Sequence, residues 1–384
     1  GGNILIGATQ PYSGGPGVVY LFDGSTGELL RTFHNPSPDA GDRFGASIAA
    51  VGDNVLIGAY YDDTAGTDAG AAYLFDGSGT LVRTFYGEAP GDWFGHQVAF
   101  AGNAVLVGAP KNDTGASDAG AAYLFHGSTG ELLHRFLNPS PDAGDIFGRS
   151  VAGVGNNALI GAYRDDTGGE NCGAAYLFDG STGELLHAFH NPTPAPKDRF
   201  GANVAAAGPN VLIAATGDDA GAEDAGAVYL FDASSGRLLQ TFLNPSPDGY
   251  DHFGSGVAAV GSKILVGAYR DDMGAANAGA AYLFWGPGEG SGAHVVAVGA
   301  GTTVEAVDFG NARAAGIRIT ETAGSTEVAE DGATDTYEVV LLSAPKAEVR
   351  ITVAGDGQVS VEPSTLTFTK DNWEHPQTVT VRAV

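Results

Sequence analysis

FGRSVAGVGNNALIGAYRDDTGGENCGAAYLFDGSTGELLHAF, residues Phe147–Phe189, is one copy of a phrase that the chain repeats along most of its length. Phe-Gly openings recur at Phe44, Phe94, Phe147, Phe200 and Phe253, at spacings of 50, 53, 53 and 53 residues. A Tyr-Leu-Phe tripeptide ends in step with them at Phe22, Phe75, Phe125, Phe178, Phe231 and Phe284. A fixed period of this size signals an array or a propeller. Within the quoted copy lie four short apolar runs, Arg149–Val154, Ala158–Ala162, Ala174–Phe178 and Glu184–Phe189, parted by Gly, Asn, Asp and Ser. Runs of this length and punctuation predict strands rather than helices. The Gly155-Asn156-Asn157 connection suits a tight hairpin, and Asp179–Gly183 a slightly longer turn in which the Asp accepts from nearby backbone amides.

Four antiparallel strands per repeat, set around an axis, describe the blade of a β-propeller. The fold expected is therefore all-β, with six four-stranded blades. Residues 1–33 carry the second to fourth strands of an opening blade and lack the Phe-Gly strand. The unit opening at Phe253 stops after its third strand, at Phe284-Trp285. Residues 291–299, SGAHVVAVG, align with FGASIAAVG at 44–52. From that likeness His294–Val298 is expected to supply the absent first strand of the opening blade and close the ring, since an open edge is prone to pair elsewhere.

The Phe-Gly openings, with the Gly-Ala steps at Gly58-Ala59, Gly108-Ala109-Pro110, Gly161-Ala162 and Gly267-Ala268, resemble the FG-GAP repeats that build the propeller heads of integrin α subunits. The resemblance spans residues 1–286. It implies a non-catalytic adhesion or recognition role at the cell surface. Calcium-binding relatives use a DxDxDG loop between the first two strands. Here that turn is only Gly52-Asp53-Asn54, Gly102-Asn103-Ala104 or Gly155-Asn156-Asn157, so the family's metal site does not carry over.

After a Pro-Gly-Glu-Gly-Ser-Gly connection at 287–292, residues 300–315 read as a connecting segment, with a strand expected at 302–309. From 316 to 384 the composition turns to Thr, Val and Glu. Alternation at 317–321, 335–342, 347–354, 364–369 and 377–383 predicts a small β-sandwich. TYEVVLLSAP, STLTFTKDNWEHPQTVTV and Glu330-Asp331-Gly332 resemble Calx-beta-like modules of bacterial surface and secreted proteins. That resemblance implies an extracellular location, and makes Glu327, Glu330 and Asp331 calcium candidates. Trp373 is read as a plug at the edge of the sandwich core.

The net charge of −27 argues against nucleic acid or an anionic membrane as partner, and favours divalent cations or basic surfaces. The 60 glycines fall at fixed places in the repeat and read as turn and close-packing positions. The lone cysteine, Cys172, stands where other copies have Ala69, Ala119, Ala225 and Ala278, and reads as a small packed residue. No apolar run is long enough for a membrane helix, and no signal peptide is visible. The Gly-Gly opening directly in a strand suggests processing or an excised fragment.

Strand order places the loops joining strands two to three (2–3 loops) and the blade-to-blade loops (4–1 loops) on one face. The 2–3 loops carry Asp62, Asp63 and Asp68; Asp113 and Asp118; Asp165 and Asp166 with Glu170; Asp218, Asp219 and Asp224; and Asp271 and Asp272. The 4–1 loops add Asp42, Asp92, Asp145, Asp198 and Asp251. Two roles stand open for these carboxylates: oxygen ligands of Ca²⁺ in each loop, or caps on their own loop backbones.

No catalytic constellation accompanies them. His134 and His187 occupy equivalent outer-strand positions, as His34 and His190 do in loops, and no nucleophile elbow or zinc spacing is present. The DGSTGELL turns also look like those of quinoprotein propellers, but Phe33, Phe85, Phe136, Phe189 and Phe242 stand where those repeats end in Trp. The expected function is a non-catalytic extracellular scaffold that recognises a protein or glycan through its acidic face. The alternative is a structural subunit that assembles with copies of itself by strand donation.

Overall fold

The computed structural model describes residues 2–9, 15–272, 276–286, 294–296, 317–321, 334–341, 349–352, 359–372 and 374–383. The chain divides into two compact units, Gly1–Glu289 with Ala293–Thr302, and Gly290–Gly292 with Thr303–Val384. All regular structure among the described residues is β.

The larger unit is a series of antiparallel sheets whose strand order follows the sequence. The quoted copy forms Ser150–Val154, Asn157–Ala162, Ala174–Phe178 and Leu185–His190, each within a residue of the run that predicted it. Three further sheets repeat the pattern: Ser47–Val51 to Leu81–Tyr86, Val98–Ala101 to Leu132–Leu137, and Phe200–Ala207 to Leu238–Leu243. The opening sheet has three strands, Asn3–Ala8, Val18–Asp23 and Leu29–His34. We number these blades 1 to 6 from the N-terminus.

Blade 6 corrects the expectation of ring closure. After Phe253–Val260, Lys263–Ala268 and Ala280–Trp285, the strand His294–Val296 adds to the same sheet as its fourth member. It pairs Leu283 with His294 and Ala281 with Val296, the register that pairs Leu177 with His187 and Ala175 with Phe189 in blade 4. A local hairpin costs less chain entropy than a return across the array to the Asn3–Ala8 edge. Residues 297 and 298 of the expected strand lie outside the described residues.

The repeat's signature residues serve the joints between blades. Phe44, Phe94, Phe147, Phe200 and Phe253 are at most 1 % exposed. Each lies edge-on to the Phe of the Tyr-Leu-Phe tripeptide in its own blade, as Phe147 does to Phe178 at 6.2 Å. Apolar clusters then run from blade to blade: Leu56, Leu74 and Phe85 of blade 2 meet Val105, Val107 and Tyr123 of blade 3. In blades 2, 3 and 4 the glycine of the Gly-Ala step has a backbone reason. A Cβ on Gly161 would press on the carbonyl oxygen of Gly201, the Phe-Gly glycine of the next blade, and Gly58 and Gly108 stand likewise against Gly95 and Gly148. Further out, Arg83 donates to the Ser128 carbonyl (3.0 Å) and His187 to the Ser234 carbonyl (3.0 Å), so the outer strand of one blade is pinned to the next blade's turn. Cys172 is buried, and its thiol donates to the Ala195 carbonyl (3.0 Å).

In the smaller unit, Ile317–Glu321, Thr334–Leu341, Gln377–Ala383 and Val359–Glu362 form one sheet, and Val349–Thr352 with Thr365–Phe368 another. Val339 and Val379 of the first sheet share a core with Leu366 and Phe368 of the second. The strand Val359–Glu362 was not anticipated from the sequence. The strand expected at 302–309, Trp373, and the candidates Glu327, Glu330 and Asp331 lie outside the described residues.

A candidate recognition face on the propeller

The 2–3 and 4–1 loops do meet on one side, because backbone bonds tie them together. The Tyr61 amide donates to the Asp42 carbonyl (3.3 Å) and the Gly217 amide to the Asp198 carbonyl (3.0 Å). Behind them lies a buried network that recurs at each joint. Asn138 donates its amide to both Asp145 (2.7 Å) and Asp165 (3.0 Å), and Tyr176 donates its hydroxyl to Asp165 (2.7 Å). Asn191 serves Asp198 and Asp218 in the same way (2.7 and 3.4 Å), and Asn244 serves Asp251 and Asp271 (2.7 and 3.3 Å). Burial, reinforced by the facing carboxylates, pushes Asp42, Asp145 and Asp198 up to about 6, although backbone amides pull the other way.

Blade 3 varies this network in an informative way. Its 4–1 loop is shorter and offers no asparagine at the shared position. The 2–3 loop there begins with Asn112 instead of Asp, and its amide donates to Asp92 (3.0 Å). Four of the five joints thus keep an amide bonded across the two loops, whichever loop supplies it, while at the first joint Asn35 donates to Asp42 alone (2.7 Å).

The carboxylates expected as calcium ligands are placed as follows. Asp62, Asp165, Asp218 and Asp271 are buried. In the first three, Oδ1 accepts an amide two residues on (2.8–2.9 Å). Oδ2 of Asp62, Asp218 and Asp271 accepts a tyrosine hydroxyl, from Tyr73, Tyr229 and Tyr282. Asp63, Asp113, Asp166, Asp219 and Asp272 are exposed, and each accepts the amide of the residue five further on (2.6–2.8 Å). That residue is Asp68, Asp118, Asn171, Asp224 or Asn277, each held at a left-handed φ of 51–53°. Asp118 also pairs with Lys111 (2.7 Å). Among the described residues no three His, Cys, Asp or Glu side chains converge as a metal cage would require. The donor set fits loop capping, and calcium would have to displace these partners.

Beside the aspartates stands a cluster that the sequence reading passed over. The residue before each Phe-Gly, namely Arg43, Trp93, Ile146, Arg199 or His252, takes a left-handed φ of 52–60°. Side chains rarely adopt this conformation, and it recurs where function demands it. Arg43 lies over the rings of Tyr60 and Tyr61 (5.5 and 5.2 Å to the centroids). Those two rings are 4.4 Å apart, and Trp93 lies 5.9 Å from the first and 5.4 Å from the second. His96 stands 5.1 Å from Tyr60 and donates to the Arg149 carbonyl (3.3 Å). Lys111 lies over Trp93 (5.4 Å), and Arg149 and Arg164 over Tyr163 (4.8 and 5.2 Å). Burial, then the positive charge of Arg149, lowers the His96 imidazole to about 4, so it is neutral near pH 7.

The charge balance sharpens the point. The chain has 18 Lys and Arg against 45 Asp and Glu, so cations should find carboxylates easily. Among the described residues the guanidinium groups of Arg43, Arg149 and Arg164 make no ion pair with any of them. They stand over aromatic faces, an arrangement that holds cations in place and leaves them ready for an incoming anion. The signal that would have revealed this lies in the repeats themselves. Around an invariant frame the flanking residues change: DRFG, DWFG, DIFG, DRFG and DHFG before strand one, and YYDD, PKND, YRDD, TGDD and YRDD after strand two.

A profile described as FG-GAP repeat matches the chain five times, at residues 37–75, 87–125, 138–178, 193–231 and 245–284. No curated protein matches the sequence.

Proposed function

Because the chain belongs to the FG-GAP repeat family, we propose that it is a non-catalytic recognition scaffold whose ligand face is the side bearing the 2–3 and 4–1 loops. One observation carries this reading: arginines that, among the described residues, make no ion pair with a carboxylate lie over tyrosine faces beside Trp93, in a chain of net charge −27. Aromatic and arginine side chains are the types that dominate recognition surfaces. The histidine of the cluster supports a binding role over chemistry, since the His96 ring is bonded to the Arg149 backbone. The resemblance of residues 316–384 to Calx-beta-like modules supports an extracellular setting, with that unit as a spacer. To test the reading, labelled wild-type protein would be compared on intact cells with Tyr61→Ala/Trp93→Ala on this face and with Ser181→Ala on the opposite one. Loss confined to the first variant supports recognition through this face. Equal binding by all three removes it.

A second reading, assembly with copies of itself, rests on a different observation. Ile4 and Ile6 of blade 1 are 52 % and 49 % exposed, whereas their counterparts Val55 and Ile57 are 5 % and 0 %. At the other end Leu265 is 47 % exposed where Leu56, Leu106, Leu159 and Leu212 are fully buried. Light scattering after size exclusion separates the readings, because assembly requires species well above 38.8 kDa.

A further inference from the structure

Resting on the recognition reading, we propose that the cluster around Arg43, Trp93 and Arg149 binds a single acidic sugar, a carboxylated pyranose carried on an otherwise uncharged glycan. Three features of the face, taken together, select this chemistry. The first is the cations: Arg43 stands over Tyr60, His96 lies 5.1 Å from that ring and bonds the Arg149 backbone, and among the described residues neither guanidinium makes an ion pair with a carboxylate. Planar guanidinium groups match a carboxylate in a two-point bond.

The second is the shape of the aromatic wall. Tyr60, Tyr61 and Trp93 meet at interplanar angles of 53–82°. A flat base or aromatic ligand would ask for parallel faces. A corrugated wall suits the C–H face of a puckered sugar ring.

The third is the surrounding rim. Exposed Asp63, Asp113 and Asp166 each keep acceptor capacity beyond the one amide they cap, and can accept from ligand hydroxyls. The same carboxylates, with the net charge of −27, repel any densely charged polymer before it reaches the arginines. A neutral chain ending in one acid passes that barrier, whereas a sulfated polysaccharide or nucleic acid does not.

Calorimetric titration with a neutral oligosaccharide ending in glucuronic acid, with the same oligosaccharide ending in glucose, and with heparin tests the proposal. The acid-ended probe is expected to bind at least about tenfold more tightly than the other two, with the gap narrowing as salt rises. Arg43→Ala and Arg149→Ala are each expected to lose about tenfold or more for that probe alone. Arg149→Lys is expected to recover part of the loss, and unchanged melting temperatures exclude misfolding as its cause. Equal binding of both oligosaccharides, abolished by Trp93→Ala, overturns the acidic-sugar assignment and leaves the recognition reading standing. Tighter binding of heparin, or no binding of any probe, also overturns the assignment, and the cell-binding comparison then judges the wider reading separately.

Discussion

Asn138 shows what a single side chain carries here. Its amide is shared by two buried carboxylates, Asp145 and Asp165, each 1 % exposed. Asn138→Ala leaves both without that donor, and a loss of about 2–4 kcal/mol in unfolding free energy is expected from urea denaturation. Blade 3 supplies the remedy, because there Asn112 replaces the 2–3 loop aspartate and donates to Asp92. Adding Asp165→Asn to the alanine variant should therefore restore part of the lost stability, and an additive double variant would refute the shared-amide account. None of this was legible in the sequence. The aspartates were plain, but an asparagine 27 residues before Asp165 gives no hint that the two share a bond. The cation cluster was hidden for a related reason: Arg43, Trp93 and Arg149 come from three separate loops, and only the packing of neighbouring blades brings them together.

At the scale of the blade, packing depends on which strand a residue occupies. Leu159 in the second strand is fully buried, so Leu159→Ala should cost about 2–5 kcal/mol. Leu186 in the outer strand is 42 % exposed, and Leu186→Ala should fall within about 0.5 kcal/mol of wild type in the same assay.

The joints also set a pH response. Folding raises Asp42, Asp145 and Asp198 from 3.8 to about 6, so it favours their protonated forms. The stability they contribute is full below about pH 4 and is lost as pH rises through 6. The turn residues Asp23, Asp179 and Asp232, lowered to about 2 by Ser and backbone donors, act the opposite way: their contribution is present above 3.8 and lost as pH falls through 2. Calorimetric scans should find the melting temperature highest near pH 4 and falling from pH 4 to 6. A melting temperature that rises over that interval would contradict the buried-pair picture. The strands themselves were readable because their apolar runs repeat in phase. The fourth strand of blade 6 was misassigned because its Val-Val-Ala-Val alternation looks like an inner strand. Its His294, in register with His134 and His187, was the better guide. Val359–Glu362 was missed because four residues ending before Pro363 give too short an alternation to stand apart from a turn.

Across the whole propeller unit, the acidic loops and the cation cluster make opposite demands on solvent ions. If the loops are capped by their own amides, adding calcium to chelator-treated protein should leave the melting temperature unchanged. A rise that saturates with calcium would show that the carboxylates give up those partners for the ion. The repeat count was legible from the period, the all-β class from the short apolar runs within it, and the family from the Phe-Gly and Gly-Ala steps. The open faces at blades 1 and 6 were not, because a periodic sequence does not state whether its two ends meet.

The close backbone approach of Gly161 to Gly201, with its counterparts at other joints, has a practical corollary. Those glycines admit no side chain, so the frame resists change. The residue just ahead of each Phe-Gly already differs from blade to blade, as Arg43, Trp93, Ile146, Arg199 and His252, at nearly the same backbone angle. Under the recognition reading, those five positions can therefore be varied one blade at a time while the architecture is kept, and libraries randomised there would test that freedom.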